Sequence, residues 1–313
     1  MRRPCGTEHG RRFLLWIQCR AGSTWLELAL HQGSTPHAAY KEAGGHTVPL
    51  RRVMHDSQNP VGNRLLGALA DVDWQRWKLQ LERVDLKLGQ VLYEPGRDLR
   101  HAYFPTSAIV SLVNMLSSGA TSEIALVGDE GIVGTSLFLG GASTISHGSV
   151  LIAGQGFRIG AQMLRDEFDR SDAVRQLLLR YTQALSTQIA QNAVCARHHS
   201  VDQQVCGWLL YSLDRLSGSE VVVTQEVVAS MLGVRRESVT AVACRLQAAG
   251  LIHYARGHIA VLDRAGLGRR ACECHAVVKK EYDRLLPQGL AARPAAVRQC
   301  TWPVSEPGVF AAA

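Results

Sequence analysis

The sequence predicts an α+β protein: a small antiparallel sheet domain, a long helix, and then a helix-turn-helix with a hairpin wing. Three observations predict it. Short β-type runs separated by Gly and Pro turn signals fill residues 84–159. The hydrophobic period then switches to a helical one. Residues 221–262 read in order as strand, helix, Gly turn, helix and hairpin.

The ordered region is expected to begin near Asn63, where Leu65, Leu66, Leu69, Trp74 and Trp77 mark short amphipathic helices. Strands are expected at 84–88, 91–93, 101–104, 109–116, 123–127, 148–152 and 156–159, a spacing that suits a small sandwich or barrel. Ala161 to Phe168 reads as a short helix. A longer one follows, with Ser171 as its N-cap. Along it Val174, Leu178, Tyr181, Leu185 and Gln188 recur at 4-3-4-3 spacing, the pattern of a two-helix seam, and predict a homodimer contact. The alternative is that this stripe packs on its own domain. A further helix is expected over 201–216. The domains expected are a sheet-type sensor over 63–160, a helical connector over 161–199 and a DNA-binding unit over 200–286. Residues 1–62 read as a disordered or mis-assigned extension, and 287–313 as an Ala- and Pro-rich disordered tail.

In the DNA-binding unit Val221–Val223 reads as a strand, Thr224 as an N-cap, 225–232 as the first helix and Gly233 as the turn. The second helix covers 235–249 and stops at Gly250. Residues 251–254 and 258–262 form the wing around Arg256-Gly257. Val239, Val242, Ala243 and Leu246 make the inner face of the second helix. The other face offers Arg236, Glu237, Thr240 and Ala241, with Arg235 and Ser238 placed for phosphates. Arg can pair bidentately with guanine and Glu can accept from cytosine, so this turn suits a helix in the major groove. Arg256 and His258 are expected to reach the DNA backbone from the wing.

Composition bounds the rest. With 313 residues, 46% hydrophobic and 19% charged, the chain has material for two ordinary cores. No apolar run approaches the roughly 18 residues of a membrane span, which predicts a cytoplasmic protein without a membrane partner. The net charge of +7 is a weak pointer to nucleic acid, because residues 1–53 hold eight Lys and Arg against three Glu, while 200–286 hold eleven against nine Asp and Glu. Eight scattered cysteines read as reduced thiols. On one continuous helix Cys272 and Cys274 would point apart, so the cluster Cys272-Glu273-Cys274-His275 reads as helix packing. A shared metal would need that helix to break. Cys195 beside His198 and His199 reads as a small buried residue before a polar linker, with a reactive thiol or metal site as the alternative. No Ser-His-Asp or paired-carboxylate motif is present, and no Lys-Ser or Lys-Thr follows Gly128, Gly131 and Gly134. An enzyme is not expected, and no cofactor is identified.

Residues 63–286 resemble the Crp/Fnr family of bacterial transcription regulators. The matching segments are Gly-Gln-Val-Leu-Tyr-Glu-Pro-Gly (89–96), His-Ala-Tyr-Phe-Pro-Thr-Ser (101–107), Leu-Val-Gly-Asp-Glu-Gly-Ile-Val-Gly (126–134) and Leu-Gly-Val-Arg-Arg-Glu-Ser-Val-Thr (232–240). The resemblance implies a cyclic-nucleotide-binding-like β-roll, a homodimer on a two-fold DNA operator, base contacts from Arg236 and Glu237, and contact with RNA polymerase. It also places an effector pocket around Gly134, Thr135 and Ser146. Cyclic-AMP-binding members carry a Gly-Glu pair for the ribose and an Arg-Ser pair further on for the phosphate. Here Thr135 follows Gly134, and residues 143–147 contain no Arg. A buried cyclic phosphate would lack its charged partner, so the effector is expected to be something other than cyclic AMP. Cys5 and Cys19 are too few for the cluster of the iron–sulfur members. The competing reading is a cyclic-nucleotide-type sensor or protein-interaction module without specific DNA binding; the pair Arg236-Glu237 discriminates between the two.

Overall fold

The computed structural model describes residues 59–216 and 218–286. The expectations for residues 1–58 and 287–313 lie outside the described residues. Residues 59–62, expected to belong to the extension, instead form a 3-10 turn, Pro60–Gly62, capped by Asn59.

Asn63 ties the first helix to the sheet domain. Its side-chain oxygen accepts from Leu65 N and Leu66 N and caps α1 (Arg64–Gly67). Its amide nitrogen donates to Pro105 O (2.9 Å) and Gly131 O (2.8 Å), so this buried side chain is paired at both ends. Next come α2 (Asp71–Trp77) and seven antiparallel strands: β1 (Glu82–Leu86), β2 (Val91–Tyr93), β3 (His101–Pro105), β4 (Ile109–Met115), β5 (Thr121–Val127), β6 (His147–Ile152) and β7 (Gly154–Gly160). They form two sheets, ordered β1-β7-β3 and β2-β6-β4-β5. Phe104, Ile109, Leu126, Val150 and Ile159 are among the buried side chains of this β-roll.

The glycines of the Gly128–Gly131 loop serve close approach. A Cβ at Gly128 would strike the Arg215 side chain (2.7 Å to its Cβ), and one at Gly131 would collide with the Tyr181 ring. Neither needs a left-handed backbone, unlike Gly134, whose φ of 108° suits the absence of a side chain.

After α3 (Ala161–Arg170), the 27-residue α4 (Asp172–His198) starts under the Ser171 cap, whose hydroxyl accepts from Val174 N. The structure corrects the predicted dimer seam. Val174, Leu178, Tyr181, Leu185 and Gln188 are all buried within the single chain, between 0 and 5% exposed. Leu177 and Ala184, equally buried, widen that stripe to an ordinary core face. The same 4-3-4-3 spacing recurs on the opposite, exposed side, at Leu179, Gln183, Ser186, Ala190, Ala193 and Arg197.

The third part comprises α5 (Val201–Asp214), β8 (Glu220–Val222), α6 (Gln225–Leu232), α7 (Arg236–Ala248), β9 (Ile252–Ala255), β10 (His258–Val261), α8 (Arg264–Arg270) and α9 (Cys274–Leu285). A capping box between Ser200 and Gln203 starts α5. Helices α8 and α9 are separate, so Cys272 lies in a break and Cys274 opens a new helix. The assumption of one helix through both cysteines fails. Among the described residues no helix is long and apolar enough to cross a membrane.

Candidate nucleic-acid interface

Local chemistry sets the helix-turn-helix. Thr224 Oγ1 accepts from Val227 N (3.3 Å) and starts α6. Gly233, at φ 65°, ends it, and Val234 N returns to Ala229 O (3.0 Å). Val239, Val242, Ala243 and Leu246 are buried, as their spacing predicts, and fix which side of α7 faces out. Arg245 pairs with Asp202 (2.6 Å) and ties α7 to α5. The wing closes through Arg256 (φ 48°) and Gly257 (φ 84°), the two positive φ values of a type I′ turn.

On this frame Arg235, Arg236, Glu237 and Ala241 are exposed, and Ser238 and Thr240 half-buried, at one end of α7. Arg235 is the N-cap residue rather than the first helical one. Arg236 lies 3.5 Å from Glu226 of α6, an exposed pair that contributes little to stability but holds the guanidinium near the helix surface. Thr240 donates to Gln225 Oε1 (2.6 Å), so its hydroxyl braces the two helices. Arg256 is exposed at the wing tip. His258 turns to Glu220 on β8 (2.6 Å) instead of standing free beside it.

The unit docks on the β-roll through β5. Thr121 Oγ1 and Ser230 Oγ of α6 lie 2.8 Å apart. Glu123 accepts from Ser111 Oγ (2.6 Å) and from Trp208 Nε1 of α5 (3.1 Å). Burial pushes its carboxyl up to about 7, against the pull of these hydrogen bonds and of Arg215. A carboxyl raised on folding favours the folded state while protonated. Its contribution is complete below about pH 4.5 and is lost as the pH rises through about 7. Glu123→Gln should remove that slope. Between about pH 4 and pH 8 the wild type should lose about 1–3 kcal/mol relative to the variant, read from denaturant midpoints. Asp129, also pushed up to about 7, titrates in both proteins and cancels. Parallel pH profiles would contradict the prediction.

The candidate effector residues lie on two segments. Gly134 caps the 3-10 turn Thr135–Leu137. Ser146 is buried just before β6, 3.0 Å from Thr144 Oγ1 and 3.4 Å from the Tyr93 hydroxyl. A cavity of about 320 Å³ lies near them, lined by Tyr93, Arg97, Arg100 and His101 and not by Gly134, Thr135 or Ser146. A second, of about 200 Å³, lies beside Trp208 and Met231, with Glu123 in its wall.

Residues 203–270 match the model of the Crp-like helix-turn-helix domain. Solved structures share the fold at low identity. A protein assigned to the Crp/Fnr family of transcriptional regulators, from Eubacterium rectale, is 18% identical, covers 66% of this chain and 96% of its own, and gives a TM-score of 0.53. FixK2 from Bradyrhizobium japonicum is 15% identical, with 61% and 98% covered and a TM-score of 0.55. A CRP-family transcriptional regulator from Thermus thermophilus is 21% identical, with 61% and 96% covered and a TM-score of 0.50. A comparison with curated protein sequences found no match. The chain thus carries a Crp-like helix-turn-helix domain within the β-roll and helix-turn-helix fold of the Crp/Fnr transcription regulators.

Proposed function

We propose that this chain is a cytoplasmic, homodimeric transcription regulator that reads a two-fold DNA site with α7 and adjusts RNA polymerase activity there. The observation that carries this reading is the exposed turn Arg235-Arg236-Glu237 at the start of α7, on a helix whose other face is buried. A rigid helix with a basic N-terminal turn and a wing beside it has the form needed to enter the major groove. Arg236 and Glu237 read bases, Arg235, Ser238 and Arg256 hold phosphates, and Ala241 offers a methyl contact only. The dimer forms through the exposed face of α4 from Leu179 to Arg197. The docking of α6 on β5 supports a route by which a signal in the β-roll alters the DNA-binding unit. That signal is not cyclic AMP, since Thr135 stands where the ribose-binding Glu is expected; micromolar cyclic AMP binding by calorimetry would show the opposite.

Binding to the protein's own promoter DNA, followed by fluorescence anisotropy across salt concentrations, tests the reading. Affinity should fall steeply with salt. Arg256→Asn, which removes the cation while suiting the left-handed turn, should weaken all sequences alike and reduce the salt slope by about one phosphate contact. A wild type with no salt-dependent DNA binding would leave this proposal without support.

A further inference from the structure

The break between α8 and α9 brings together two pairs of ligand groups that lie far apart in the sequence. Cys195 sits in the last turns of α4, and His199 is the residue that caps it. Cys272 lies in the break, and Cys274 opens α9. The three Sγ atoms and one imidazole nitrogen all lie within 4.8 Å of one another. Cys195 Sγ and Cys272 Sγ are 3.5 Å apart, and Cys274 Sγ and His199 Nδ1 are 3.4 Å apart. A tetrahedral ion with Zn–S of about 2.3 Å and Zn–N of about 2.0 Å sets edges of about 3.8 Å for S···S and about 3.5 Å for S···N. The spacing therefore fits one ion. An iron–sulfur cluster, which spreads its thiolates over several metal atoms, needs a wider cage.

The surroundings are those of ligands held for a metal. His199 turns Nδ1 to Cys274 and Nε2 to the Glu273 carboxylate (3.5 Å). In the tautomer with its proton on Nε2, facing that carboxylate, Nδ1 is free to coordinate. Gln191 Nε2 donates to Cys274 Sγ (3.2 Å). Tyr211 donates to Cys274 O (3.1 Å), and Gln204 to His199 O (2.9 Å), which fixes the backbone on both sides. Cys272 and Cys274 are buried, and the cavity of about 200 Å³ beside Trp208 reaches Cys195, Cys272 and Cys274 and gives an ion a way in.

We propose that Cys195, His199, Cys272 and Cys274 form a closed four-coordinate site for a thiolate-preferring divalent ion, Zn²⁺ in the first place. Three sulfurs and one imidazole suit Zn²⁺, and four protein ligands leave no open position, the mark of a structural rather than a catalytic ion. The ion staples the end of α4 to the C-terminal helix of the DNA-binding unit. Its occupancy fixes how that unit is carried. This inference stands apart from the DNA reading, since it would hold even if α7 bound no DNA.

Elemental analysis of the full chain, purified without chelator, is expected to find one zinc per chain. Cys195→Ser should lose it, while Cys206→Ala, which alters a buried thiol outside the set, should keep it. Glu273→Gln should retain all four ligands but weaken zinc about 10–100-fold in competition with a chelator. Co²⁺ added to the metal-free wild type should give the intense visible bands of tetrahedral thiolate coordination, a readout that does not depend on whether any variant folds. A wild type that holds no zinc and shows no such bands with Co²⁺ would overturn the proposal. Equal zinc affinity in the wild type and a folded Cys195→Ser variant would do the same.

Discussion

Arg215→Met is expected to destabilise the folded chain by about 3–5 kcal/mol, because it strands a buried carboxylate. The Arg215 and Glu130 side chains are 6% and 5% exposed and meet at 2.8 Å. Arg215 also donates to Gln188 Oε1 on α4 (3.1 Å) and to Tyr211 O (2.9 Å), and the Tyr282 hydroxyl of α9 donates to the same Gln188 oxygen. Burial opposes the guanidinium's charge, but Glu130 beside it outweighs that cost and holds Arg215 above the usual arginine range. Methionine fills much of the volume and, among the described residues, leaves Glu130 with Gly128 N (3.2 Å) as its remaining donor. Replacing both residues by apolar ones, Arg215→Met with Glu130→Leu, should recover much of the loss, since the pair as a whole is near break-even against a packed apolar core. Urea midpoints of the three proteins decide it. A single variant within about 0.5 kcal/mol of the wild type would show the pair to be solvated and unimportant. The network joins the Gly128–Gly131 loop of the β-roll to α4, α5 and α9, so the variant should also blunt any effector response.

Splitting the proposed dimer should reduce operator affinity by about 10²- to 10⁴-fold, because the second half-site then binds as an independent molecule. Ala190→Arg with Ala193→Arg is the variant to use. Both positions are exposed in the single chain, so the fold should be little affected. In a symmetric seam each new cation meets its own copy. Sedimentation should report monomers. A variant that remains dimeric and binds DNA as the wild type does would move the dimer contact off this face. Leu178 and Leu185, by contrast, are core residues, and changing them would unfold the chain without bearing on its assembly.

The elements that proved legible in the sequence are those whose geometry depends on neighbours along the chain. Thr224, Gly233 and the apolar spacing of α7 mark the helix-turn-helix because caps, left-handed turns and helix faces are local properties. The stripe on α4 shows the limit. Two faces of that helix share a heptad spacing, and the larger side chains of Leu178, Tyr181 and Leu185 made the inner one look like a seam. Small residues at Ser186, Ala190 and Ala193 gave the outer face little hydrophobic signal. Pairings such as Glu130 with Arg215 or Glu123 with Trp208 join residues 85 apart, and neither side carries a local mark of its partner. The cysteine cluster was half visible: Cys195 and His199 share one helical face at i, i+4, and Cys272 and Cys274 needed a helix break that Ala271 and Glu273 do not announce.

In the proposed function α7 reads base sequence through Arg236. Selection of bound sites from random DNA, run on the wild type and on Arg236→Ala, tests it most directly. The wild type should select a two-fold motif with half-site centres about one helical turn apart and a G·C pair opposite Arg236. Arg236→Ala should cost about 1–3 kcal/mol and lose the preference at that one pair in each half-site, with the rest of the motif kept. An unchanged motif in the Arg236→Ala variant would contradict the placement of α7 in the groove.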